Sequence, residues 1–229
     1  MSKTGLKPLK NGNLSQQVYD AVRNALVEGR YEPGEKLTIA GLAKELGVSI
    51  TPVRETIFRL VSERALEMKA ATAIHVPELT SNQFREIQRI GILLEGEAAE
   101  VAAQKITPQQ LKSLEGIQEQ LSEAARGKHP IRAARLNRRF HCNLMAAADM
   151  PVVHATVENM WALKGPILRI YQLEAMGKAD MEQRAHYDVL DGLRNGDGEK
   201  AREAIQRDIA GCNDMIAWIK ERQKETEEA

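Results

Sequence analysis

Three short helical patterns followed by a hairpin pattern fill the first third of the sequence, and this order restricts the fold more than any other feature. Apolar side chains repeat at helical spacing over residues 14–28, and Gly29 ends the pattern. A second helical pattern covers residues 39–46, and a third covers residues 51–62. Two short strand patterns then flank a small-residue turn between residues 66 and 76. This order predicts a winged helix-turn-helix.

The rest of the chain shows the apolar spacing of long helices only. Six helices are predicted there; Thr107 and Gln110 form a capping box at the start of the second, and the last begins near Asp197. The sequence therefore predicts a mainly α fold, with a winged helix-turn-helix domain over residues 10–77 and an all-α helical bundle over residues 78–226.

Charge and cysteine content narrow the class of protein. The formal net charge is zero, yet residues 1–75 carry 11 Lys and Arg against 8 Asp and Glu, so the N-terminal third is the basic end. The two cysteines, Cys142 and Cys212, have no metal-binding or redox spacing, which favours a reducing compartment. No run of about 18 apolar residues occurs, and the first residues lack the apolar core of a signal peptide. We therefore expect a cytoplasmic protein without a membrane partner.

The start of the third helix carries side chains that suit an anionic partner. Thr51 is expected to cap this helix and Pro52 to occupy its first position. In a helix-turn-helix the corresponding residues enter the major groove, where the hydroxyls of Ser49 and Thr51 and the guanidinium of Arg54 suit phosphate and guanine. An ordinary capped helix with one exposed arginine accounts for the same residues and stays open on this motif alone.

Longer sequence motifs favour a DNA-binding helix over an ordinary capped helix. Within residues 14–77, "GRYEPGEKL", "LAKELGVS" and "TPVRE" are similar to the N-terminal domain of the GntR family of transcription regulators. The words "EIQRIGILLEGEAAEVAA", "LNRRFHCNL" and "HYDVLDGLRNGDGEKAREAIQRDI" resemble the FCD effector domain of the FadR subfamily. The resemblance implies a homodimeric transcription regulator, more commonly a repressor, that binds a double-stranded DNA operator and responds to a small-molecule effector.

The resemblance also implies which side chains contact DNA. They are Ser49, Thr51, Pro52 and Arg54 on the recognition helix, and Lys69 and Thr72 in the wing. Three positions depart from the family's pattern. Ile50 stands where the family usually has arginine, Phe58 where a polar residue is frequent, and Ala73 where the wing usually has glycine. These changes remove donors and backbone freedom from the surface that would face DNA.

A divalent metal site is implied by the FCD resemblance. Many such domains carry an aspartate, a histidine four residues later and two further histidines; the matching positions here are Asn137, His141, His186 and Asp208. An amide is a poor substitute for a carboxylate, whereas aspartate in place of histidine remains a competent ligand. The imidazoles favour Zn or Ni. The alternative is a polar pocket without metal, whose histidines are satisfied by hydrogen bonds.

A small organic acid is the effector that the resemblance suggests. The subfamily's usual helix arginine for the effector carboxylate has no counterpart, since Gly91 stands four residues before Glu95. Arg169 is one possible substitute on a later helix. The residues predicted to bind the effector are Arg89, Arg135, Arg138, His141 and His186.

An alternative from another class is a metal-dependent enzyme. His141, His186 and Asp208 would then surround an open coordination site. The sequence identifies no general base beside them, and this alternative leaves residues 14–77 without a role. The sequence therefore favours a regulator over an enzyme.

Overall fold

A computed structural model describes residues 14–69, 73–174, 184–211 and 213–227. The N-terminal part of the chain, which we call the head, contains three helices and a small antiparallel sheet in the strand order β1-β3-β2. Its elements are α1 (Leu14–Val27), β1 (Lys36–Leu37), α2 (Ile39–Leu46), α3 (Ile50–Ser62), β2 (Glu67–Lys69) and β3 (Ala73–His75). The winged helix-turn-helix predicted from the sequence is therefore confirmed.

The head is held together by the apolar faces that the sequence pattern predicts. Leu26 of α1 and Val53 and Leu60 of α3 have essentially no solvent exposure, and α1 packs directly on α3. Because burying each such side chain contributes roughly 1.5–3 kcal/mol, this contact fixes α3 on α1. Leu37 pairs with Ile74 across β1 and β3, so the wing is tied to the same core.

Helix α3 begins two residues earlier than the sequence predicts. Ser49 is the N-cap residue and Ile50 the first helical residue, so the prediction that Thr51 caps the helix is wrong. Pro52 consequently occupies the third helical position and is buried. A proline lacks the N–H that a helix leaves unpaired within its first turn, so the third position accommodates it as well as the first.

The second part of the chain is a helical bundle, and the described residues form seven helices there. They are α4 (Ser81–Lys105), α5 (Pro108–Arg126), α6 (Pro130–Ala148), α7 (Pro151–Glu174), α8 (Arg184–Asn195), α9 (Gly198–Ala210) and α10 (Asn213–Glu227). The prediction of six helices is wrong, because Gly211 caps α9 and ends the helix that the sequence pattern extended through Ile219. The mainly α fold class is confirmed.

Helix α4 is the central element of the bundle and contacts α6, α7, α8, α9 and α10. Its inner face carries small residues, among them Ala98, Ala99 and Ala102, which have no solvent exposure. At Gly96 an added Cβ would overlap with the side chain of Gln206, so the missing side chain permits the close approach of α9. None of the described helices combines the length and apolar character needed to cross a bilayer.

The head contacts the bundle through α1 and α7. At Gly165 a Cβ would overlap with the carbonyl oxygen of Leu26, so the two helices meet backbone to backbone. Arg23 of α1 lies 3.5 Å from the Glu158 carboxylate and donates a 3.4 Å hydrogen bond to Asn159. The C-terminal end of α1 therefore packs directly on α7 of the bundle.

Candidate functional site

The N-terminal half of α3 forms an exposed surface on the head. Ser49, Thr51 and Arg54 are solvent-exposed there, as the sequence predicted, whereas Pro52 is buried beneath them. Ile50 and Phe58 are 48% and 55% exposed and lie four residues before and after Arg54, on the same face. This face therefore offers hydroxyls, one guanidinium and two large apolar side chains to a partner.

The wing contributes less to this surface. Lys69 at the end of β2 is exposed, and its Nζ lies 2.9 Å from a carboxylate oxygen of Glu67. A lysine already paired with a neighbouring carboxylate gains less from a phosphate than a free one does. Thr72 lies outside the described residues, so its predicted contact with DNA stays a prediction.

A compact group of potential metal ligands lies inside the bundle. His141 of α6, His186 of α8 and Asp208 of α9 each place one ligand atom within 4.8 Å of the other two. Both histidines are only 2% exposed, so the group is closed off from bulk solvent. The structure therefore brings together three of the four residues that the sequence predicted as ligands.

Hydrogen bonds to the other ring nitrogens fix the orientation of both imidazoles. His141 Nδ1 lies 2.6 Å from Oε2 of Glu95, and His186 Nδ1 lies 2.8 Å from Oε1 of Gln118. Because a carboxylate and an amide oxygen only accept hydrogen bonds, each Nδ1 carries the proton. The Nε2 atoms are thus directed toward Asp208, which is the arrangement of histidines that bind metals in proteins.

The two Nε2 atoms face Asp208 without a well-formed hydrogen bond. They lie 3.2 Å from Oδ2 in His141 and 3.6 Å from Oδ1 in His186, and neither finds a hydrogen-bond partner of acceptable geometry within the described residues. Buried polar nitrogens without partners are costly, and a cation between them and the carboxylate would satisfy all three groups. The residues present therefore fit a divalent metal.

Charge in this group is balanced internally. Burial alone would lower the pKa of His141, but the adjacent carboxylates of Glu95 and Asp208 outweigh that effect and raise it to about 9. Burial would raise the pKa of Asp208, but its contacts with His141 and His186 hold it well below its usual range. A protonated His141 between two carboxylates is thus the state that a metal ion would replace.

Aromatic rings hold the histidines in place. Phe140 has no solvent exposure and stacks on His186 with ring centroids 4.0 Å apart and planes within 10°. Trp161 of α7 makes an edge contact with His141 at 5.7 Å. Since both rings restrict imidazole rotation, the ligand directions are set by packing as well as by hydrogen bonds.

Asn137 lies on α6 one turn before His141 and is half-buried. Its predicted role as a fourth ligand stays a prediction, and the group that the structure assembles contains His141, His186 and Asp208. An amide oxygen is a weaker ligand than a carboxylate, so the described site is one with three strong ligands.

Arg89 lies apart from the other arginines considered for the effector. Arg89 is exposed on α4, whereas Arg135 and Arg138 of α6 and Arg169 of α7 line a cavity of about 740 Å³. His141 and His186 lie in the buried ligand group. Trp161 connects the two places, because it lines the cavity and also touches His141.

Sequence reasoning missed Glu95 and Gln118, which are 2% and 0% exposed. Both interrupt apolar stripes. On α4 the buried residues Ile87, Gly91 and Ala98 share a face with Glu95, so helical periodicity places its carboxylate in the core. A charged residue on the buried face of a helix needs a partner, and His141 is that partner.

Comparisons with known proteins agree with this geometry. A family model described as bacterial regulatory proteins, gntR family, matches residues 14–76, and the FCD domain model matches residues 86–211. The HTH-type transcriptional regulator McbR of Escherichia coli K12 is 34% identical over 212 residues, covering 90% of this chain and 96% of McbR. The HTH-type transcriptional repressor RspR of the same strain is 25% identical over 219 residues, covering 96% of this chain and 95% of RspR.

A solved structure of E. coli McbR/YncC superimposes with a TM-score of 0.83 at 30% identity, covering 91% of this chain and 99% of that one. The fold and the matches define a winged-helix transcription regulator with a helical effector domain. The chain belongs to the GntR family of bacterial regulatory proteins and carries an FCD domain. The predicted family and its role in transcription regulation are therefore confirmed.

Proposed function

We propose that the chain is a homodimeric repressor whose operator affinity depends on a small organic acid and on one divalent metal ion per protomer. Residues 10–77 would bind double-stranded DNA, and residues 78–226 would bind the effector and form the dimer, in the cytoplasm where the operator is. The observation that carries the proposal is that one chain joins an exposed recognition helix to a buried His141, His186 and Asp208 group. The two are linked through α1, which packs on both α3 and α7.

On the DNA side, the exposed face of α3 supports a specific contact. A guanidinium can form two hydrogen bonds with O6 and N7 of guanine, and Arg54 has the freedom of an exposed side chain to do so. Ile50 and Phe58 flank it where the family more often has polar residues, and apolar side chains in the major groove suit thymine methyl groups. The operator should therefore combine guanine with nearby thymines.

Replacing Arg54 by alanine should weaken specific operator binding by about 1–3 kcal/mol, because it removes a base contact. The helix should persist, since Arg54 is exposed and alanine favours helices. Fluorescence anisotropy would measure binding to a duplex selected from a random library and to a scrambled duplex. Arg85→Ala, which removes an exposed arginine from α4, is the control and should bind like the parent. Equal operator affinity in Arg54→Ala and parent would remove α3 from the recognition surface.

On the sensor side, the chemistry favours a binding site over a catalytic one. Glu95 is the acidic side chain bonded to His141, but it contacts Nδ1, on the ring edge away from Asp208. It is therefore poorly placed to take a proton from a water molecule shared by His141, His186 and Asp208. Two imidazoles and one carboxylate favour Zn²⁺ or Ni²⁺, which would join α6, α8 and α9 and add rigidity to the effector domain.

Regulation in this proposal is a shift between arrangements of the two heads. Two recognition helices enter successive major grooves when they are roughly 34–36 Å apart. A ligand changes operator affinity only if it binds one arrangement better than another. The effector domain supplies such a preference because α7 is in direct contact with the end of α1.

The dimer contact that we propose uses the outer face of α4. Ile90 and Leu93 are 43% and 68% exposed there, beside the exposed charges of Arg89 and Glu97. Exposed apolar residues rimmed by charges are typical of protein interfaces. A second copy related by a two-fold axis could cover this face with its own α4.

Leu93→Glu should therefore convert the dimer to monomer, because it places a carboxylate in the centre of the proposed contact. Light scattering coupled to size-exclusion chromatography would measure the mass. Val152→Glu is a matched control, since Val152 is 79% exposed on α7, away from this face. A dimer that survives Leu93→Glu, or a parent protein that is monomeric at micromolar concentration, would contradict the α4 contact.

A further inference from the structure

A wide cleft lies where the head meets the bundle. It is lined by the end of α1, the N-terminal half of α6 and the middle of α7, and its volume is about 740 Å³. Volumes of roughly 300–1,000 Å³ are usual for small-molecule sites. Because residues of both domains line it, a ligand in this cleft would touch the head and the effector domain at once.

The cleft is strongly basic. Its only acidic lining residue is Glu28, which pairs with Arg30 at 2.6 Å. The other cationic lining residues have no carboxylate partner within the part of the chain that the structure describes. The six cationic lining residues are Arg30, Lys128, Arg132, Arg135, Arg138 and Arg169.

One of these cationic residues, Arg138, is partly buried in the lining of the cleft. Arg138 is half-buried, and its Nε is buried with no hydrogen-bond partner among the described residues. A buried N–H without a partner is destabilising, and the other guanidinium groups nearby add like-charge repulsion. An anion that pairs with these guanidinium groups would offset the repulsion between them, and one that reaches Arg138 Nε would also supply its missing partner.

We infer that this cleft binds a compact organic anion with at least two negative charges, held by Arg135, Arg138 and Arg169. Guanidinium groups bind carboxylates and phosphates through paired hydrogen bonds, and three of them exceed what one monocarboxylate can satisfy. Trp161 and Leu168 add an apolar wall, so the ligand has a short carbon skeleton. The site is distinct from the His141, His186 and Asp208 group, which is made by α6, α8 and α9.

Binding of an anion in the cleft can also affect the DNA-binding surface through α1. At Gly29 a Cβ would overlap with Arg169, and at Gly165 it would overlap with Leu26, so the end of α1 has no space to shift against α7. Because this contact has no free space, an anion that draws Arg169 toward Arg135 and Arg138 changes how the end of α1 packs on α7. Because α1 packs on α3, the recognition helix moves with it. This regulatory step rests on the proposed function, whereas anion binding does not.

Calorimetry on the full-length protein without added metal would test the site with three probes. Succinate represents dicarboxylates, glycerol 3-phosphate represents phosphate esters, and acetate is the singly charged control. Succinate or glycerol 3-phosphate should bind, and whichever binds tells the two sources of the anion apart. Acetate should bind at least about tenfold more weakly, because one charge cannot engage several guanidinium groups. No binding of either dianion at millimolar concentration would overturn the proposal.

Variants place the bound anion in the cleft. Arg138→Gln and Arg135→Gln should each weaken dianion binding about tenfold, the usual effect of losing one charge-assisted hydrogen bond. Arg85→Gln removes an exposed arginine of α4 that does not line the cleft and should leave the affinity unchanged. Equal affinity in the cleft variants and the parent would overturn the site even if all proteins are folded by circular dichroism.

A second titration separates this site from the proposed function. The dianion that binds is titrated into the free protein and into its complex with the selected operator duplex. Different dissociation constants support the coupling, and by linkage the dianion must change operator affinity by the same factor. Equal dissociation constants would overturn the coupling through α1 while leaving the anion site intact. Loss of specific DNA binding in the parent protein would contradict the proposed function alone.

Discussion

Alanine in place of His141 is expected to abolish metal binding by this protein. The parent should hold at most one Zn²⁺ or Ni²⁺ per chain, at His141, His186 and Asp208, because both imidazoles of this group are buried and are oriented by Glu95 and Gln118. Removing one of three ligands also leaves Glu95 as a buried carboxylate without its partner. Metal analysis after incubation with Zn²⁺ and dialysis would measure the occupancy directly. The expected decrease in affinity is at least about a hundredfold.

Matched variants show whether the three side chains act as ligands. His129→Ala removes an exposed histidine from the start of α6 and should keep full occupancy. Glu95→Gln keeps an acceptor for His141 Nδ1 but removes the charge, and should weaken binding about 10- to 100-fold. If the parent takes up no metal, or if His141→Ala takes up as much as the parent, the group is a hydrogen-bonded polar cluster.

Protons should compete with the metal at this site. In the metal-free protein the pKa of His141 is raised to about 9, because Glu95 and Asp208 stabilise the imidazolium more than burial penalises it. A metal ion on Nε2 must displace that proton. Between that pKa and neutral pH, affinity should therefore fall about tenfold for each unit of decrease. A chelator competition at two pH values in this range would measure the slope.

The sequence predicted the parts of this protein that depend on local pattern. Apolar periodicity gives the helices of the head, and the Thr107 and Gln110 capping box is present in the structure. Where local rules compete, prediction failed. Ser49 and Thr51 are both good capping residues, and Pro52 is acceptable at either position, so sequence alone does not fix the first turn of α3.

Contacts between residues far apart in the sequence could not be predicted from local sequence patterns. Strand β1 is only two residues long and exists because Leu37 pairs with Ile74 of β3. Such a strand is too short to show alternation. Likewise, α9 and α10 carry one continuous apolar pattern, but α10 packs on a separate apolar cluster that includes Phe84 and Ile167. The apolar pattern predicts that both helices have a buried face, but it does not predict which other helices each of them packs against.

The ligand site was predicted in part for the same reason. The spacing of Asn137 and His141 on one helix is local, whereas the approach of His186 and Asp208 depends on how α6, α8 and α9 pack. The resemblance to FCD domains, and no local pattern, indicated that these residues lie close together. Glu95 lies on α4, 46 residues before His141. Their hydrogen bond depends on how α4 and α6 pack and therefore could not be predicted from local sequence.

Phe140→Ala should cause the largest loss of stability. Phe140 is fully buried between the helices, and its ring stacks on His186 at 4.0 Å. Deleting a buried phenyl ring costs about 3–5 kcal/mol, because the transferred surface is lost and a cavity remains. Phe140→Leu keeps most of the volume and should cost less, about 1–2 kcal/mol. Urea unfolding at constant slope would measure both values.

Metal binding provides the specific test of the Phe140 ring. Without its stacking partner, His186 should lose its fixed direction toward Asp208, and Zn²⁺ affinity should fall about tenfold or more. Ile216→Ala removes a buried side chain from the apolar cluster of α10, away from the histidines, and is the matched control for general destabilisation. It should lower the unfolding free energy and leave Zn²⁺ affinity unchanged. If both variants weaken metal binding equally, the stability of the bundle as a whole orients the ligands, and Phe140 has no separate positioning role.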